Sequence, residues 1–233
     1  MGSSLYWPAL GYATLHTLEF TVLGLAGSLV LGLILALMKV GKWAPTRWVA
    51  VVYTELLKNT PLLVVLYIIY FGLPSIGILF DRLIAGSLAL TVCYAAYLSE
   101  IFRAGLQGVP NGQREAGYAV GLSTFAVYWN IILPQAFRLS LAATGNMVVD
   151  VLKTTSLISV IGGAELLTSA ENITAANFEP MKVYLIIGGI YFAFCFPLSR
   201  LVVWYETRLK AGKNRQRSRR RLEAELREIG AVA

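Results

Sequence analysis

The stretch EAGYAVGLSTFAVYWNIILPQA, from Glu115 to Ala136, separates two hydrophobic runs that are each long enough to cross a bilayer. It starts with polar residues, contains Gly121 and closes with Leu133-Pro134. A glycine at Gly121 is suited to the left-handed conformation that ends a helix, and Ser123 is placed to cap the start of a second one. The stretch therefore predicts two short helices outside the membrane core, the second closed by Pro134, that are available to a soluble partner.

The same stretch has a second interpretation, in which an amphipathic helix pair rests on lipid headgroups. Two groups of side chains would each share one helical face: Ala116, Ala119 and Val120 in the first helix, and Phe125, Trp129 and Ile132 in the second. The small alanines favour close approach by a protein partner. Periodicity alone leaves both interpretations open.

Composition indicates a membrane protein. The chain is 57% hydrophobic and 14% charged, whereas soluble domains are about half apolar and about one quarter charged. The net charge of +7 does not indicate nucleic-acid binding, because the basic residues lie at the ends of hydrophobic runs or in the C-terminal tail. Cys93 and Cys195 lie within apolar runs and lack the spacing of a disulfide or metal site, so we interpret them as packing residues.

Five hydrophobic runs meet the requirement of about 20 apolar residues for crossing about 30 Å of hydrocarbon. They are Thr17–Met38, Trp48–Leu73, Leu83–Ala104, Phe137–Val160 and Val183–Tyr205. Pro61 and Pro197 fall inside runs and predict kinks. The predicted fold is therefore an all-α membrane protein with five transmembrane helices.

The distribution of lysine and arginine predicts the orientation, because these residues are enriched in cytoplasmic loops. They cluster after the first, third and fifth runs, which places the N-terminus outside and the C-terminus inside. Residues 1–212 then form the transmembrane domain, with a cytoplasmic loop at about 107–136, and residues 213–233 form a basic cytoplasmic tail. The tail is suited either to binding anionic membrane lipid or only to enforcing this topology.

Four segments, in this order, resemble the permease subunits of ABC importers for polar amino acids. Thr54–Pro74 resembles their second-span signature, and Tyr97–Ala116 their third span and following loop. The segment Glu115-Ala116-Gly117, then Gly121, then Ile132-Leu133-Pro134 resembles the EAA coupling motif; Glu115, Ala116, Gly121, Ile132 and Pro134 match its spacing, and Gly117 replaces the second alanine. Leu152–Gly162 resembles the segment LK-D/N-TSL, with Thr154 in place of the usual acid or amide.

The resemblance implies the type I ABC importer permease fold, in the bacterial cytoplasmic (inner) membrane, and transport of a polar amino acid by alternating access. It implies as partners two copies of an ABC ATPase, a second permease that is identical or a paralogue, an extracytoplasmic substrate-binding protein and membrane lipid. The chain itself has no Walker-A pattern. We therefore expect it to be no enzyme and to bind no cofactor, with ATP and magnesium held by the ATPase, and we expect no nucleic acid.

Polar residues within the predicted spans form a candidate substrate path, because intramembrane charges mark paths or pairs. A free amino acid needs hydrogen-bond acceptors for its ammonium and donors for its carboxylate. The predicted path consists of Tyr97, Glu100, Asn146, Asp150, Lys153, Thr155 and Ser156. Lys153 with the two neighbouring hydroxyls suits the carboxylate, Glu100 or Asp150 suits the ammonium, and Asn146 suits either.

Other interpretations of these polar residues remain open. Lys58, Thr60 and Pro61 form a candidate gate, because a Thr-Pro step frees a backbone carbonyl. The pairs Glu55–Lys58, Glu100–Arg103 and Asp150–Lys153 have the i, i+3 spacing of structural ion pairs, and Tyr97 is suited to packing. The outward loop Ile161–Met181, with Glu165, Glu171 and Glu179, either meets the substrate-binding protein or is simply polar.

Two other classes of function also fit a chain with these spans. One is a stand-alone secondary transporter or channel for a small polar solute, which usually contains an internal repeat that this sequence lacks. The other is a membrane scaffold whose cytoplasmic helices recruit a partner. A scaffold has no need for charges such as Asp150 and Lys153 in the middle of the membrane.

Overall fold

The computed structural model describes residues 6–230, with side chains described as far as Arg208, and this part of the chain is helical with no strand. Nine α-helices follow one another over these residues: α1 (Tyr6–Val40), α2 (Ala44–Lys58), α3 (Leu62–Tyr67), α4 (Arg82–Gln107), α5 (Asn111–Ala119), α6 (Thr124–Val127), α7 (Leu133–Thr154), α8 (Leu166–Asn177) and α9 (Pro180–Gly230). The predicted all-α architecture is confirmed.

Helices α1 and α4 form the most extensive contact in the described chain. One face of α1 is a row of buried small residues: Gly24, Ser28, Gly32 and Ala36. A Cβ atom at Gly24 would lie 2.7 Å from the Cβ of Leu90, and one at Gly32 would lie 2.9 Å from the Cβ of Leu98. Small residues spaced by four let two helices approach closely within a membrane. We call this contact the α1–α4 seam.

Three described helices are long and apolar enough to cross a membrane: Tyr6–Val40, Arg82–Gln107 and Pro180–Arg208. Two bent pairs satisfy the same criteria only when each pair is taken as one span. They are Ala44–Lys58 with Leu62–Ile76, and Thr124–Ile161 with Leu166–Asn177. By length and composition, the described residues thus contain three such helices, or up to five. The five-span count and the orientation stay predictions.

The second predicted span, Trp48–Leu73, is broken and not merely kinked. Its two halves meet at 104° around Asn59–Pro61, so the predicted kink at Pro61 is wrong in its extent. Proline has no backbone N–H and disfavours helical conformation in the residue before it. Both effects end α2 at Lys58, and α3 restarts at Leu62 and continues through π-helical and 3₁₀ turns to Ile76.

The fourth span begins earlier than predicted. Instead of starting at Phe137, α7 starts at Leu133, directly after a π-helical turn at Tyr128–Ile132. The expectation that Pro134 closes the second short helix is therefore wrong. Pro134 lies in the first turn of α7, which follows the π-helical turn without a break, because Ile132 and Leu133 both have helical φ and ψ.

The predicted outward loop Ile161–Met181 contains a helix, α8. Glu165 caps its first turn, because its two carboxylate oxygens accept from the backbone N–H groups of Leu167 and Thr168, each at 2.7 Å. Tyr191 of α9 donates to the same carboxylate over 3.3 Å. Since Glu165 is fully buried, it is not available to a partner protein, which corrects the expectation for this residue.

Both ends of the described chain are helical beyond the predicted spans. α1 begins at Tyr6, well before the predicted start at Thr17, and its 35 residues span about 52 Å at about 1.5 Å per residue. α9 runs through Pro197 to Gly230. The side chains of the basic tail, residues 213–233, lie outside those described, so the expectations for the tail stay predictions.

Candidate functional site

A cavity of about 240 Å³ lies where the α2–α3 break faces α4 and α7. We call it the central cavity. Its lining combines apolar, aromatic and hydroxyl side chains with one carboxylate: Leu57, Thr60, Leu62, Cys93, Tyr94, Tyr97, Met147, Asp150 and Thr154. No group of three or more histidine, cysteine, aspartate or glutamate side chains among the described residues is arranged to hold a metal ion.

A chain of hydrogen bonds crosses the central cavity from α4 to α7. The hydroxyl of Tyr94 donates to Oδ2 of Asp150 over 2.9 Å and lies 2.7 Å from Oγ1 of Thr154. A tyrosine hydroxyl has a single proton, and an ionised carboxylate can only accept. Thr154 must therefore donate to Tyr94, and Tyr94 to Asp150. This order fixes one carboxylate oxygen of Asp150 against the cavity wall.

The α2–α3 break is closed by side chains, which satisfy carbonyls that the interrupted helix leaves without backbone partners. Three such hydrogen bonds are present: Asn59 Nδ2 to Glu55 O at 2.7 Å, Thr60 Oγ1 to Leu56 O at 2.8 Å, and Tyr97 hydroxyl to Lys58 O at 3.1 Å. The last bond ties α4 to the end of α2. The break is therefore stabilised by specific hydrogen bonds, and it forms part of the wall of the central cavity.

Two of the residues predicted for the substrate path, Tyr97 and Asp150, line the central cavity, and so does Thr60 of the candidate gate. The other gate residues do not. Lys58 forms an ion pair with Glu55 at 2.9 Å, which confirms the structural interpretation of that spacing, and Pro61 lies in the break itself.

Glu100 lies outside the central cavity. Its carboxylate is 2.6 Å from Nζ of Lys39 and 2.6 Å from Nη2 of Arg103, so the predicted Glu100–Arg103 pair is present. Lys39 is buried and also donates to Oγ of Ser99 over 3.1 Å. With two cations against it, Glu100 is a structural link between α1 and α4, and this position argues against its predicted contact with an ammonium group.

The remaining predicted path residues lie on α7 and the 3₁₀ turn that follows it. Asn146 and Lys153 are exposed on the same helix as Asp150, but neither lines the central cavity. Thr155 is fully buried and donates to Leu152 O over 2.7 Å, and Ser156 donates to Lys153 O over 2.8 Å. Both hydroxyl protons are thus committed to backbone carbonyls and not available to a carboxylate.

Asp150 and Lys153 form no ion pair within the described part of the chain, so the structural interpretation of that spacing is wrong. The carboxylate instead accepts from Tyr94, which is 56 residues away in sequence. Sequence reasoning missed Tyr94 and Thr154. The available signal was helical periodicity, because Tyr94 lies one turn before Tyr97, and Thr154 lies one turn after Asp150.

The predicted short helix pair is present as α5 and α6. Gly121 has φ +80° and ends the first helix, as its sequence position predicts. The backbone N–H of Ala126 donates to Oγ of Ser123 over 3.2 Å, which is the predicted cap of the second helix. We call residues 111–132 the coupling segment.

Gly117 is the buried residue of α5, and the reason lies in α6 and the turn that follows. A Cβ atom there would lie 2.8 Å from Cγ2 of Val127 and 3.1 Å from Cδ1 of Ile131. An alanine at this position would require both side chains to move. The glycine that departs from the expected motif is therefore the residue that lets α5 pack on α6.

The outer face of the coupling segment is apolar and exposed. Phe125 and Trp129 are 74% and 63% exposed, and their rings stack at 6.0 Å with an interplanar angle of 8°. Glu115, Ala116 and Ala119 are also exposed. Trp129 also lines an apolar groove with Leu33 of α1 and Phe137 of α7. Exposed apolar side chains grouped in this way mark a surface for contact with a protein or with the membrane.

The inner face of the coupling segment is anchored to the membrane helices. Ile132 is fully buried in a cluster that includes Leu106 in the last turn of α4, Val109 just after it and Ala136 of α7. Arg114 donates to Leu106 O over 3.2 Å, and its guanidinium lies 5.7 Å from the centre of the Tyr128 ring. Leu133 and Pro134 then begin α7, so the surface is continuous with the helix that carries Asp150.

Comparison with known proteins gives consistent results. Residues 28–211 match the family described as binding-protein-dependent transport system inner membrane component. The chain is 35% identical over 195 residues to a probable glutamine ABC transporter permease protein of Bacillus subtilis, covering 84% of this chain and 90% of that protein. It is 38% identical over 205 residues to the L-cystine transport system permease protein of the same bacterium, covering 88% of each.

Solved structures show the same relationship. A crystal structure of an amino acid ABC transporter with histidines aligns with a TM-score of 0.81 and 36% identity, covering 88% of this chain and 96% of that one. An inward-facing structure of a methionine ABC transporter aligns with a TM-score of 0.66, covering 88% and 99%. At 17% identity, the second likeness concerns the fold alone, which is that of type I ABC importer permeases.

Proposed function

The chain belongs to the family of binding-protein-dependent transport system inner membrane components, and we propose that it is the transmembrane permease subunit of an ABC importer for polar amino acids. The observation that supports this function is a direct structural connection between the coupling segment and the central cavity. One helix, α7, starts at the end of the coupling segment and leads to Asp150 in the wall of the central cavity. A displacement of the exposed helix pair is thereby transmitted to the cavity.

The partners proposed for this chain follow from that role. An importer of this family joins its permease to an ATPase, a second permease and a substrate-binding protein. We propose that two ATPase copies serve the complete transporter, one of them seated on the exposed face around Ala116 and Phe125. The second permease is either an identical chain or a paralogue. The complex lies in the bacterial cytoplasmic membrane, with α5 and α6 on the cytoplasmic side.

The mechanism proposed is alternating access driven from outside this chain. ATP bound by the ATPase subunits closes them, and closure moves the coupling segment. Buried Ile132 and the cation–π contact of Arg114 with Tyr128 make the segment move as one body. The movement passes along α7 and changes the access of the central cavity from one membrane face to the other.

The substrate is proposed to meet the central cavity through Asp150, Tyr97 and Thr60. Asn146 and Lys153 extend this contact along the exposed face of α7, where their amide and ammonium are available to the substrate carboxylate. Thr155 and Ser156 support this region through their backbone hydrogen bonds and do not bind the substrate directly. The α2–α3 break at Pro61 is proposed as the gate.

The experiment that tests the function is uptake in proteoliposomes. Vesicles containing this permease, its ATPase and its second permease, with the binding protein outside and ATP inside, are expected to accumulate a radiolabelled polar amino acid. Omitting ATP or the ATPase removes accumulation. Uphill uptake by this chain without the ATPase would instead establish the stand-alone secondary transporter and contradict the proposal.

A further inference from the structure

The apolar groove beside Trp129 lies between α1, α4 and α7 and is separate from the central cavity. It has a volume of about 640 Å³, and it shares no lining residue with that cavity. Leu33 of α1, Phe102 of α4 and Phe137 of α7 belong to its walls. We call it the α7 groove. Its size is that of a site for one small molecule, because such sites measure about 300–1,000 Å³.

The lining of the α7 groove is suited to a hydrocarbon chain. Of the described residues that form it, only Trp129 and Ser140 have polar side chains. The hydroxyl of Ser140 donates to Ala136 O over 2.9 Å, so its proton is already used. An extended peptide would leave backbone N–H and C=O groups without partners here, which is costly away from water. A hydrocarbon chain has no such groups to satisfy.

The α7 groove is as deep as one half of a membrane. Leu29, at its inner end, lies about 16 Å from Val40, the last residue of α1, at about 1.5 Å per residue. One leaflet contributes about 15 Å of hydrocarbon, half of a core of about 30 Å. Trp129 lies in the π-helical turn from which α7 starts, and tryptophan is enriched at membrane surfaces. The groove therefore has the extent of one acyl chain.

An arginine without a partner lies next to the α7 groove. Arg138 is exposed, and no described residue forms an ion pair or hydrogen bond with it. It lies one helical turn after Pro134, which lines the groove, so the two residues share a face of α7. Long side chains on a helix point back toward its N-terminus, which directs this guanidinium toward Pro134. A charge near the hydrocarbon is costly unless an anion or water meets it.

We propose that the α7 groove binds one anionic phospholipid of the cytoplasmic leaflet, with an acyl chain along Leu33 and Phe137 and the phosphate on Arg138. Arginine forms paired, charge-assisted hydrogen bonds with phosphate, and basic sites between membrane helices bind anionic headgroups. The proposed function supplies only the side of the membrane. The groove, its lining and the unpaired charge do not depend on the transported substrate. The bound lipid contacts the coupling segment at Trp129, whose ring also stacks on Phe125.

The test is lipid binding to the delipidated permease–ATPase complex in detergent, measured by native mass spectrometry. Phosphatidylglycerol and phosphatidylcholine with the same acyl chains are the probes, so that the headgroup is the only difference between them. We expect one phosphatidylglycerol for each copy of this permease. It is expected to bind at least about tenfold more tightly than phosphatidylcholine, which corresponds to about 1.4 kcal/mol.

Two variants separate the headgroup from the acyl chain. Arg138→Gln removes the charge and is expected to reduce the preference for phosphatidylglycerol to less than about threefold. Leu33→Trp fills the α7 groove and is expected to weaken the binding of both lipids at least about tenfold.

The matched controls change residues outside the groove. Arg82→Gln removes an exposed arginine at the start of α4, and Val22→Trp enlarges a valine of α1 that is 63% exposed. Both controls are expected to bind the two lipids as the unmodified complex does. Gel filtration shows whether each variant assembles, and Arg138→Gln alone decides the proposal if Leu33→Trp does not.

Three results overturn the proposal. One is equal binding of the two lipids to the unmodified complex, and another is a preference that survives in Arg138→Gln. The third is unchanged binding in Leu33→Trp, because the lipid would then be held elsewhere on the complex. A groove filled by a helix of another subunit would bind neither lipid and overturns the proposal as well. The proposed function is tested separately, because ATP-dependent uptake in proteoliposomes does not depend on these results.

Discussion

The ammonium of Lys39 lies 2.6 Å from the carboxylate of Glu100, and this ion pair joins the last turn of α1 to α4. The lysine side chain is only 3% exposed. Removing one partner of a buried ion pair leaves an uncompensated charge, which lowers the free energy of unfolding by about 3–5 kcal/mol. Because Glu100 is partly exposed and keeps Arg103, we expect the lower end of that range.

We therefore predict that Lys39→Ala lowers the stability of the solubilised permease by about 3 kcal/mol, measured by denaturant titration. Lys182→Ala is the control, because Lys182 pairs with Glu179 at 2.9 Å but is 73% exposed, and exposed pairs are worth about 1 kcal/mol or less. Equal destabilisation by the two changes would show that the buried Lys39–Glu100 pair stabilises the fold no more than an exposed pair does.

A second prediction concerns the packing of the coupling segment. Gly117→Ala is expected to destabilise the permease by about 1–3 kcal/mol, as overpacking does, because its Cβ would meet Val127 at 2.8 Å. Gly112→Ala lies in the same helix with nothing within 4 Å of its Cβ, and it is expected to be neutral or stabilising by up to about 1 kcal/mol.

The contact with Val127 supplies an internal check on the second prediction. In the double variant Gly117→Ala/Val127→Ala, the added methyl occupies space that the valine has vacated. We expect the double variant to be more stable than the sum of its two single changes predicts, with a coupling energy above about 0.5 kcal/mol. Strict additivity in denaturant titrations would contradict the packing of α5 on α6.

The third prediction distinguishes a structural glutamate from an exposed one on the same helix. Glu165→Ala leaves the N–H groups of Leu167 and Thr168 without their acceptors, and buried unsatisfied groups cost about 1–3 kcal/mol each. We expect a clear fall in the thermal unfolding midpoint. Glu171→Ala, whose side chain is exposed, is expected to leave that midpoint unchanged. A stable Glu165→Ala protein would refute the role of this carboxylate as a buried cap.

The fourth prediction tests the exposed face of the coupling segment. We expect Trp129→Ala to weaken association with the ATPase by more than about tenfold, because central aromatic residues of an interface cost about 2 kcal/mol or more on truncation. Microscale thermophoresis with the labelled ATPase provides the measurement. Trp204→Ala removes a tryptophan of similar exposure, 54%, from α9 and is expected to leave association unchanged. Equal loss for both variants would argue against a localised docking surface.

Local sequence rules predicted the coupling segment well. The conformation of Gly121 and the cap by Ser123 depend on a few neighbouring residues, so a single sequence contains the information. Pro134 was misplaced because proline ends one helix or begins the next with equal ease. In this chain the helix continues through the π-helical turn at Tyr128–Ile132 and past Pro134, and the local sequence did not predict that turn.

The central cavity was predictable only in part, because its partners come from distant parts of the chain. The spacing of Asp150 and Lys153 suggested an ion pair within one helix. In the structure the Asp150 carboxylate instead accepts a hydrogen bond from the hydroxyl of Tyr94 in α4. The sequence placed Glu165 in a polar outward loop. In the structure its carboxylate accepts hydrogen bonds from the first turn of α8 and from Tyr191 of α9. The position of Pro61 gave the site of the break, but the 104° angle depends on side chains that satisfy the freed carbonyls.

The α1–α4 seam limits how this subunit can change shape. Because glycine and alanine leave no gap between the two helices, sliding or separating them would force backbone atoms past one another or open a void. In the proposed mechanism the two helices are therefore a fixed reference frame, and the freedom for the transport cycle lies in the joint at residues 59–61 and in the tilt of α7. A restraint that locks this joint would accordingly arrest the cycle, whereas the seam needs no such freedom.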